Sequence, residues 1–257
     1  LDGAANFRDL GGYETSDGLS LRWGVLYRSD ALSQLSSADL EFLQKLGLRV
    51  VCDFRTEQER VQAPNLLPLG SRLRCLHFAI GGTQAAQSAL PPLLAERLTA
   101  GAPPAELKAA LAAFYCNLPF WAAAQYSRTL AEILRGELPL VFHCTAGKDR
   151  SGMFCALLLL SLGVPLKTVE ADYALSNRYL AGEARLQNVR KHLEEVLPPG
   201  TRLSTDQVRA VVDADPALLR AALHAIDTQC GSFRRYRREH LALSDPALDS
   251  LRAMLLV

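Results

Sequence analysis

The sequence predicts an α/β fold, a mostly parallel central sheet flanked by helices and continued by a helical C-terminal extension. Three observations predict it. Short apolar runs alternate with helix-like segments through the first 162 residues. The runs at 48–54 and 138–143 are almost unbroken in Val, Leu and Phe, as in strands buried on both faces. From residue 167 onward, every periodic segment reads as a helix.

Taken in order, residues 5–13 are too polar and too rich in Gly for a helix. They lead to Asp17-Gly18, a turn signal between a strand near Tyr13 and a partner strand over 19–28. Ser36 with Asp39 three residues later is a capping signature, and Leu40, Leu43 and Leu46 give the following helix an apolar face that stops at Gly47. A buried strand over 48–54 ends on Asp53-Phe54-Arg55. Thr56 then caps a short charged helix that Pro64 closes. Residues 73–78 form a third candidate strand. Residues 81–104 are rich in Gly, Pro, Ala and Gln without periodicity, and read as a long loop or mobile insertion of the kind that serves as a lid. Helices are expected over 106–117 and 119–135, the second with Pro119 in its first turn and Gly136 at its end. A strand over 138–143, a tight loop and a helix over 151–162 follow. Six helices then fill 167–177, 181–196, 205–213, 216–229, 233–241 and 246–256, with Ser204, Asp215 and Ser244 or Asp245 as caps.

Over 257 residues, 49% hydrophobic and 21% charged is the balance of a globular chain with a sizeable core. A formal charge of +1 supplies no electrostatic case for nucleic acid. The longest apolar run, 153–164, falls short of the roughly 20 residues of a membrane helix. Cys52, Cys75, Cys116, Cys144, Cys155 and Cys230 match neither a zinc site nor a disulfide framework. All but Cys144 read as free, mostly buried thiols, and a reducing compartment is the simpler assumption. The expected location is cytoplasmic, or secreted if a leader precedes Leu1. Arg234, Arg235, Arg237 and Arg238 read as a solvated helix face, and Leu251, Met254, Leu255 and Leu256 as packing on the body of a monomer.

The chemistry is concentrated in one stretch, His143-Cys144-Thr145-Ala146-Gly147-Lys148-Asp149-Arg150-Ser151, between the last strand and its helix. A free thiol, with pKa about 8.5, is mostly protonated at neutral pH. Here the helix N-terminus, a turn of small residues whose amides can face inward, and the planar fork of Arg150 would together favour the Cys144 thiolate. They would also hold the oxygens of a phosphoryl group. In-line attack by Cys144 would give a phosphocysteine that water hydrolyses, with Ser151 donating to the departing thiolate. The phosphate loop runs through Thr145, Ala146, Gly147, Lys148, Asp149 and Arg150. The leaving oxygen needs a proton. Asp149 is the nearest acid, and Asp53, at the end of a parallel strand on the same sheet edge, is a contributor or substitute. His143 is expected to brace the loop. Gly147-Lys148 lacks the flanking residues of a nucleotide-binding loop. A sulfurtransferase and a silent phosphate-binding module are the rival readings. The first usually lacks the His-Cys-x5-Arg-Ser pattern, and no residue the chemistry requires is missing for the second to explain.

His-Cys-x-x-Gly-Lys-Asp-Arg resembles the signature of the bacterial atypical tyrosine phosphatases of dual or triple specificity. Asn6-Phe7-Arg8-Asp9-Leu10-Gly11-Gly12, Leu26-Tyr27-Arg28-Ser29, Asp53-Phe54-Arg55-Thr56, Asp172-Tyr173 with Ser176-Asn177, and Tyr236-Arg237 are similar to that family's motifs in the same order. The resemblance implies the cysteine-phosphatase fold as one domain over residues 1–257, with neither metal nor cofactor. It implies activity on phosphotyrosine proteins, with phosphoserine/threonine proteins and phosphoinositides as further substrates. Carried over by position, Cys144 is the nucleophile, Arg150 the phosphate clamp and Asp149 the general acid. Lys148 is linked to more highly charged substrates. Arg8, Asp9, Arg28 and Arg55 are expected to form an ion-pair network under the loop. Thr145 departs from the large residue the family places after its cysteine, so substrate preference does not transfer with the motif.

Overall fold

The computed structural model describes residues 1–68, 73–81 and 90–257. Its elements in chain order are β1 (Arg8–Asp9), β2 (Leu26–Ser29), α1 (Ser37–Lys45), β3 (Val50–Asp53), α2 (Glu57–Gln62), β4 (Arg74–His77), α3 (Pro92–Thr99), α4 (Pro104–Trp121), α5 (Ala123–Leu134) and β5 (Leu140–His143). There follow α6 (Arg150–Leu162), α7 (Leu166–Tyr179), α8 (Glu183–Val196), α9 (Thr205–Val212), α10 (Pro216–Cys230), α11 (Phe233–Glu239) and α12 (Asp245–Leu255).

The sheet order is β1-β2-β5-β3-β4, parallel except where β1 meets β2. Strands β2, β5 and β3 are buried along their whole length; β5 and β3 are apolar up to their last residue, whereas β2 carries buried Arg28 and Ser29 toward the site. Alternate side chains separate two cores. Tyr27, Val51 and Val141 face a smaller cluster with Leu43 of α1. Leu26, Val50, Cys52, Leu140 and Phe142 face the larger one, shared with α4, α5, α6, α10 and α12. Register then places the site: Ser29 and Asp53 both lie opposite His143, so β2, β5 and β3 end at one edge. The loop after His143 starts from that edge.

The expected caps form, as capping boxes of Ser36 with Asp39 on α1, Thr56 with Glu59 on α2 and Ser204 with Gln207 on α9. Four expectations need correction. The Asp17-Gly18 turn is present with Gly18 at φ +87°, but only Glu14 and Ser20 bridge across it. Gly24 turns the chain at φ +77°, and its amide donates to Asp9. The expected strand over 19–28 is thereby shortened to Leu26–Ser29, which pairs with β1 and β5. Pro119 does not open a helix. It lies in the last turn of α4, where it forfeits one intrahelical bond beside buried Leu118, and the break falls at Ala122. Within the expected loop over 81–104, residues 92–99 form α3, buried through Leu94 and Leu98 one turn apart, with Pro92 in its first turn. Residues 82–89 of that expected lid lie outside the described residues. No helix among the described residues is long and apolar enough to cross a membrane.

Candidate active site

Residues 144–149 run from the end of β5 to the first turn of α6, and their carbonyls are turned outward. Thr145 O accepts from Ala31 N at 3.0 Å, Ala146 O from Asn6 Nδ2 at 2.9 Å and Gly147 O from Arg28 Nη2 at 2.5 Å. The amides of Thr145 to Asp149 donate to no partner among the described residues. Successive unpaired N–H groups beside a helix N-terminus form an anion-binding nest. Gly147 is required twice over: its φ is +67°, and a Cβ there would lie 2.4 Å from Ser29 O.

Cys144 sits at the base of this nest, 2% exposed. It is one wall of a cavity of about 460 Å³ that Thr145, Ala146, Lys148, Asp149 and Arg150 also line. Across the cavity, α8 presents Leu186, Val189, Leu193 and Val196, so one side is phosphate-like in its demands and the other apolar. Arg209 and His192 add polar groups to that far wall. The Ser151 hydroxyl is buried and has no hydrogen-bond partner among the described residues.

Arg150 is held by a residue the sequence did not single out. Glu59 grips it in a two-pronged contact, Nη1 to Oε2 and Nη2 to Oε1 at 2.7 Å each. The Thr145 hydroxyl also donates to Glu59 and lies 3.2 Å from Arg150 Nη2. Burial opposes ionisation of Glu59, but Arg150 and the Thr145 hydroxyl outweigh it and hold the carboxyl down at about 2. The sequence marked only Thr56 as the cap of α2, and Glu59 completes that cap by accepting from Thr56 N at 2.7 Å. Its second partner lies 91 residues away.

Asp53 is brought to the sheet edge but not into the cavity. It is fully buried. Its Oδ1 accepts from the Arg55 amide and Nε at 3.0 Å, and its Oδ2 from Arg55 Nη2 at 2.7 Å and Asn65 Nδ2 at 3.0 Å. A carboxylate with both oxygens so occupied has none left for a leaving group, so the sequence's substitute acid is instead a brace. His143 joins it, with Nε2 3.6 Å from Asp53 Oδ2 and 3.2 Å from Asn65 Nδ2, and Nδ1 3.2 Å from Cys144 O. Accepting from Asn65 at Nε2 leaves the proton on Nδ1, directed at the Cys144 carbonyl. Burial drives His143 down to about 4 despite Asp53, so the ring is neutral at physiological pH.

The expected network under the loop holds for two of its four members. Asp172 takes Arg28 Nη1 at 2.6 Å, Arg8 Nε at 2.9 Å and the Tyr13 hydroxyl at 2.9 Å. Burial alone would raise Asp172, but the two arginines bring it to about 2. Asp9 is not part of it: its oxygens accept from the Gly11 and Gly24 amides at 2.8 and 2.7 Å and fix a turn. Arg55 belongs to the separate Asp53 brace.

Asp149 does face the cavity, with Oδ1 accepting from the Tyr115 hydroxyl at 2.6 Å. Lys148 turns away from the loop amides. Its Nζ donates to Val211 O at 2.7 Å at the end of α9 and lies 3.3 Å from Asp149 Oδ1. Among the described residues, no group of His, Cys, Asp and Glu is arranged to hold a metal ion.

The chain is similar to known proteins along its whole length. A protein of Cupriavidus necator provisionally named a tyrosine-protein phosphatase is 33% identical over 244 residues, 94% of this chain and 83% of that protein. The triple specificity protein phosphatase PtpB of Mycobacterium tuberculosis is 29% identical over 275 residues, 100% of this chain and 98% of the relative. A tyrosine-protein phosphatase of Nostoc commune is 29% identical over 164 residues, 62% of this chain and 50% of the relative. With the model of the tyrosine phosphatase family matching residues 1–257, the chain belongs to that family and is a phosphatase.

Proposed function

We propose that residues 1–257 act as one monomeric domain that hydrolyses phosphomonoesters on protein phosphotyrosine through a phosphocysteine on Cys144. The observation that carries this reading is the nest itself: five amides with no partner among the described residues, and the Arg150 fork, around a buried cysteine at the base of a cavity. The Cys144 thiolate attacks phosphorus, a P–S bond forms, and the P–O bond to the leaving group breaks. Asp149 supplies the proton that oxygen needs. In the second step water attacks phosphorus, its proton passes to Asp149, and the P–S bond breaks. The thiolate returns with the free Ser151 hydroxyl available to it. The amides and Arg150 hold the equatorial oxygens throughout. Glu59 keeps the Arg150 fork aimed, and Asp53, Arg55 and His143 steady the strand end from which Cys144 leaves.

The apolar wall of α8 suits the ring of phosphotyrosine. Phosphoserine and phosphothreonine come into question through the triple-specificity relative. A phosphoinositide reading has one observation of its own: Lys148, Arg209 and His192 line the same cavity and could meet further phosphates. The test is phosphate release from phosphotyrosine peptides, phosphothreonine peptides and phosphoinositide vesicles side by side, with chelator present. Preference for phosphotyrosine, undiminished by chelator and abolished in Cys144→Ser, is expected. Preference for the vesicles would favour the lipid reading, and chelator-sensitive release would contradict the mechanism.

A further inference from the structure

An aspartate at the start of a helix ordinarily turns its carboxylate onto the amides of the first turn. Asp149 holds that place at the head of α6 and makes no such bond. Its carboxylate is drawn out of the helix instead, and both outside donors reach the same oxygen. Tyr115 donates to Oδ1 at 2.6 Å, and Lys148 Nζ lies 3.3 Å from Oδ1. Oδ2 takes no hydrogen bond among the described residues, while Asp149 lines the cavity beside Cys144. Tyr115, on α4, is fully buried, and its hydroxyl lies 2.5 Å from that of Tyr173, on α7, which is 1% exposed. The phenols of two separate helices thus form a relay, Tyr173 bonding Tyr115 and Tyr115 bonding the carboxylate oxygen, with their rings packed edge to face and centroids 6.3 Å apart.

We propose that Tyr115, held by Tyr173, is a positioning residue for the proton donor: it ties down Oδ1 of Asp149 so that the transferable proton resides on Oδ2, toward the leaving group. The proposal rests on Asp149 being the general acid, as read above. When Asp149 is protonated, Oδ1 is its carbonyl oxygen and accepts from Tyr115. When it is a carboxylate, Oδ1 accepts the same bond. The contact therefore persists through both half-reactions. In the first, the proton moves from Oδ2 to the departing oxygen as the P–O bond breaks. In the second, the attacking water's proton returns to Oδ2 as the P–S bond breaks. Burial raises both phenols far above their usual range, so they remain O–H donors at every working pH.

The test is kcat/KM over a series of aryl phosphates from nitrophenyl phosphate, whose leaving group barely needs a proton, to phenyl phosphate, whose leaving group does. Asp149→Asn should steepen the dependence on the leaving group. Tyr115→Phe should steepen it part of the way, losing about tenfold on phenyl phosphate and under about twofold on the nitrophenyl ester. Tyr173→Phe, which spares the bond to Asp149, should move in the same direction by less. In the Asp149→Asn background, Tyr115→Phe should add nothing. Equal losses on all esters, or an unchanged slope in Tyr115→Phe with a steep one in Asp149→Asn, would overturn the role of Tyr115 alone. An unchanged slope in Asp149→Asn would overturn the assignment of the acid itself. Should Tyr115→Phe fail to fold, Tyr173→Phe decides the question by the same criterion.

Discussion

Beneath the phosphate loop, Asp172 is shared by Arg8 and Arg28, and none of the three side chains is more than 6% exposed. At the rim, Glu59 grips Arg150 with 11% and 14% of the side chains exposed, and Asp149, 31% exposed, is held by Tyr115 and Lys148. Both regions are carboxylates opposed to cations and donors, yet only the rim contacts line the cavity. The floor arginine Arg28 spends one nitrogen on Asp172 and another on the carbonyl of Gly147, which turns the loop's amides inward. The rim arginine reaches the carbonyls of Phe54 and Ile80 only at 3.4 Å and the Thr145 hydroxyl at 3.2 Å, so the two-pronged Glu59 contact at 2.7 Å is the main one that sets its direction. The same pair of charges therefore fixes a backbone in one place and aims a side chain in the other.

The largest effect separating them should come from Asp172→Ala, which strands two buried arginines. A loss of about 3–5 kcal/mol in unfolding free energy is expected from urea denaturation. Glu59→Ala leaves an arginine that still borders the cavity and removes the cap on Thr56, so it should cost less, about 1–2 kcal/mol by the same measurement, and similar losses for the two would erase the distinction.

Acid should act on the Asp53–His143 brace before it reaches either region. His143 is held at about 4, below its ordinary 6.5, so the unfolded chain binds the extra proton in that interval. Stability is then complete above 6.5 and falls as pH drops toward 4, by about 3 kcal/mol at most. Glu59 and Asp172, both held at about 2, contribute stability that is present above their ordinary 4.5 and 3.8 and is lost as pH falls toward 2. Unfolding free energy measured against pH should show both declines, and His143→Asn should remove only the upper one. A decline between 6.5 and 4 that survives in His143→Asn would contradict the buried neutral ring.

Turnover should respond in the opposite order to stability. Glu59→Gln keeps the size of the side chain but gives up one of two charged acceptors, and kcat/KM for an aryl phosphate should fall about tenfold with little change in unfolding. The smallest effect is expected from Lys148→Met. With Nζ committed to Val211 O, kcat/KM on an ester bearing one phosphate should stay within about threefold. A larger loss confined to phosphoinositides would restore the lysine to substrate binding.

How much of this was legible in the sequence follows from separation along the chain. Cys144, Asp149, Arg150 and Ser151 fall within eight consecutive residues, and a strand, a tight loop and a helix N-terminus are local patterns, so the loop could be read whole. The caps at Ser36, Thr56 and Ser204 were legible for the same reason. Glu59 was not, because its capping of Thr56 is local and its grip on Arg150 spans the fold. Tyr115 reads as one more apolar position on α4, and its partner lies 34 residues further on. Asp53 was placed on the correct edge, but the Arg55 side chain folding back onto it is a matter of rotamers that spacing does not carry. α3 escaped because it has no side-chain cap and only two buried leucines, Leu94 and Leu98.

The central claim is that phosphate passes through Cys144, and the direct measurement is mass analysis of enzyme quenched during turnover of an aryl phosphate. One phosphoryl group on the peptide containing Cys144 is expected, more of it in Asp149→Asn, where water loses its base, and none in Cys144→Ser. Phosphate release by Cys144→Ser, or a phosphoryl group on any other residue, would contradict the account.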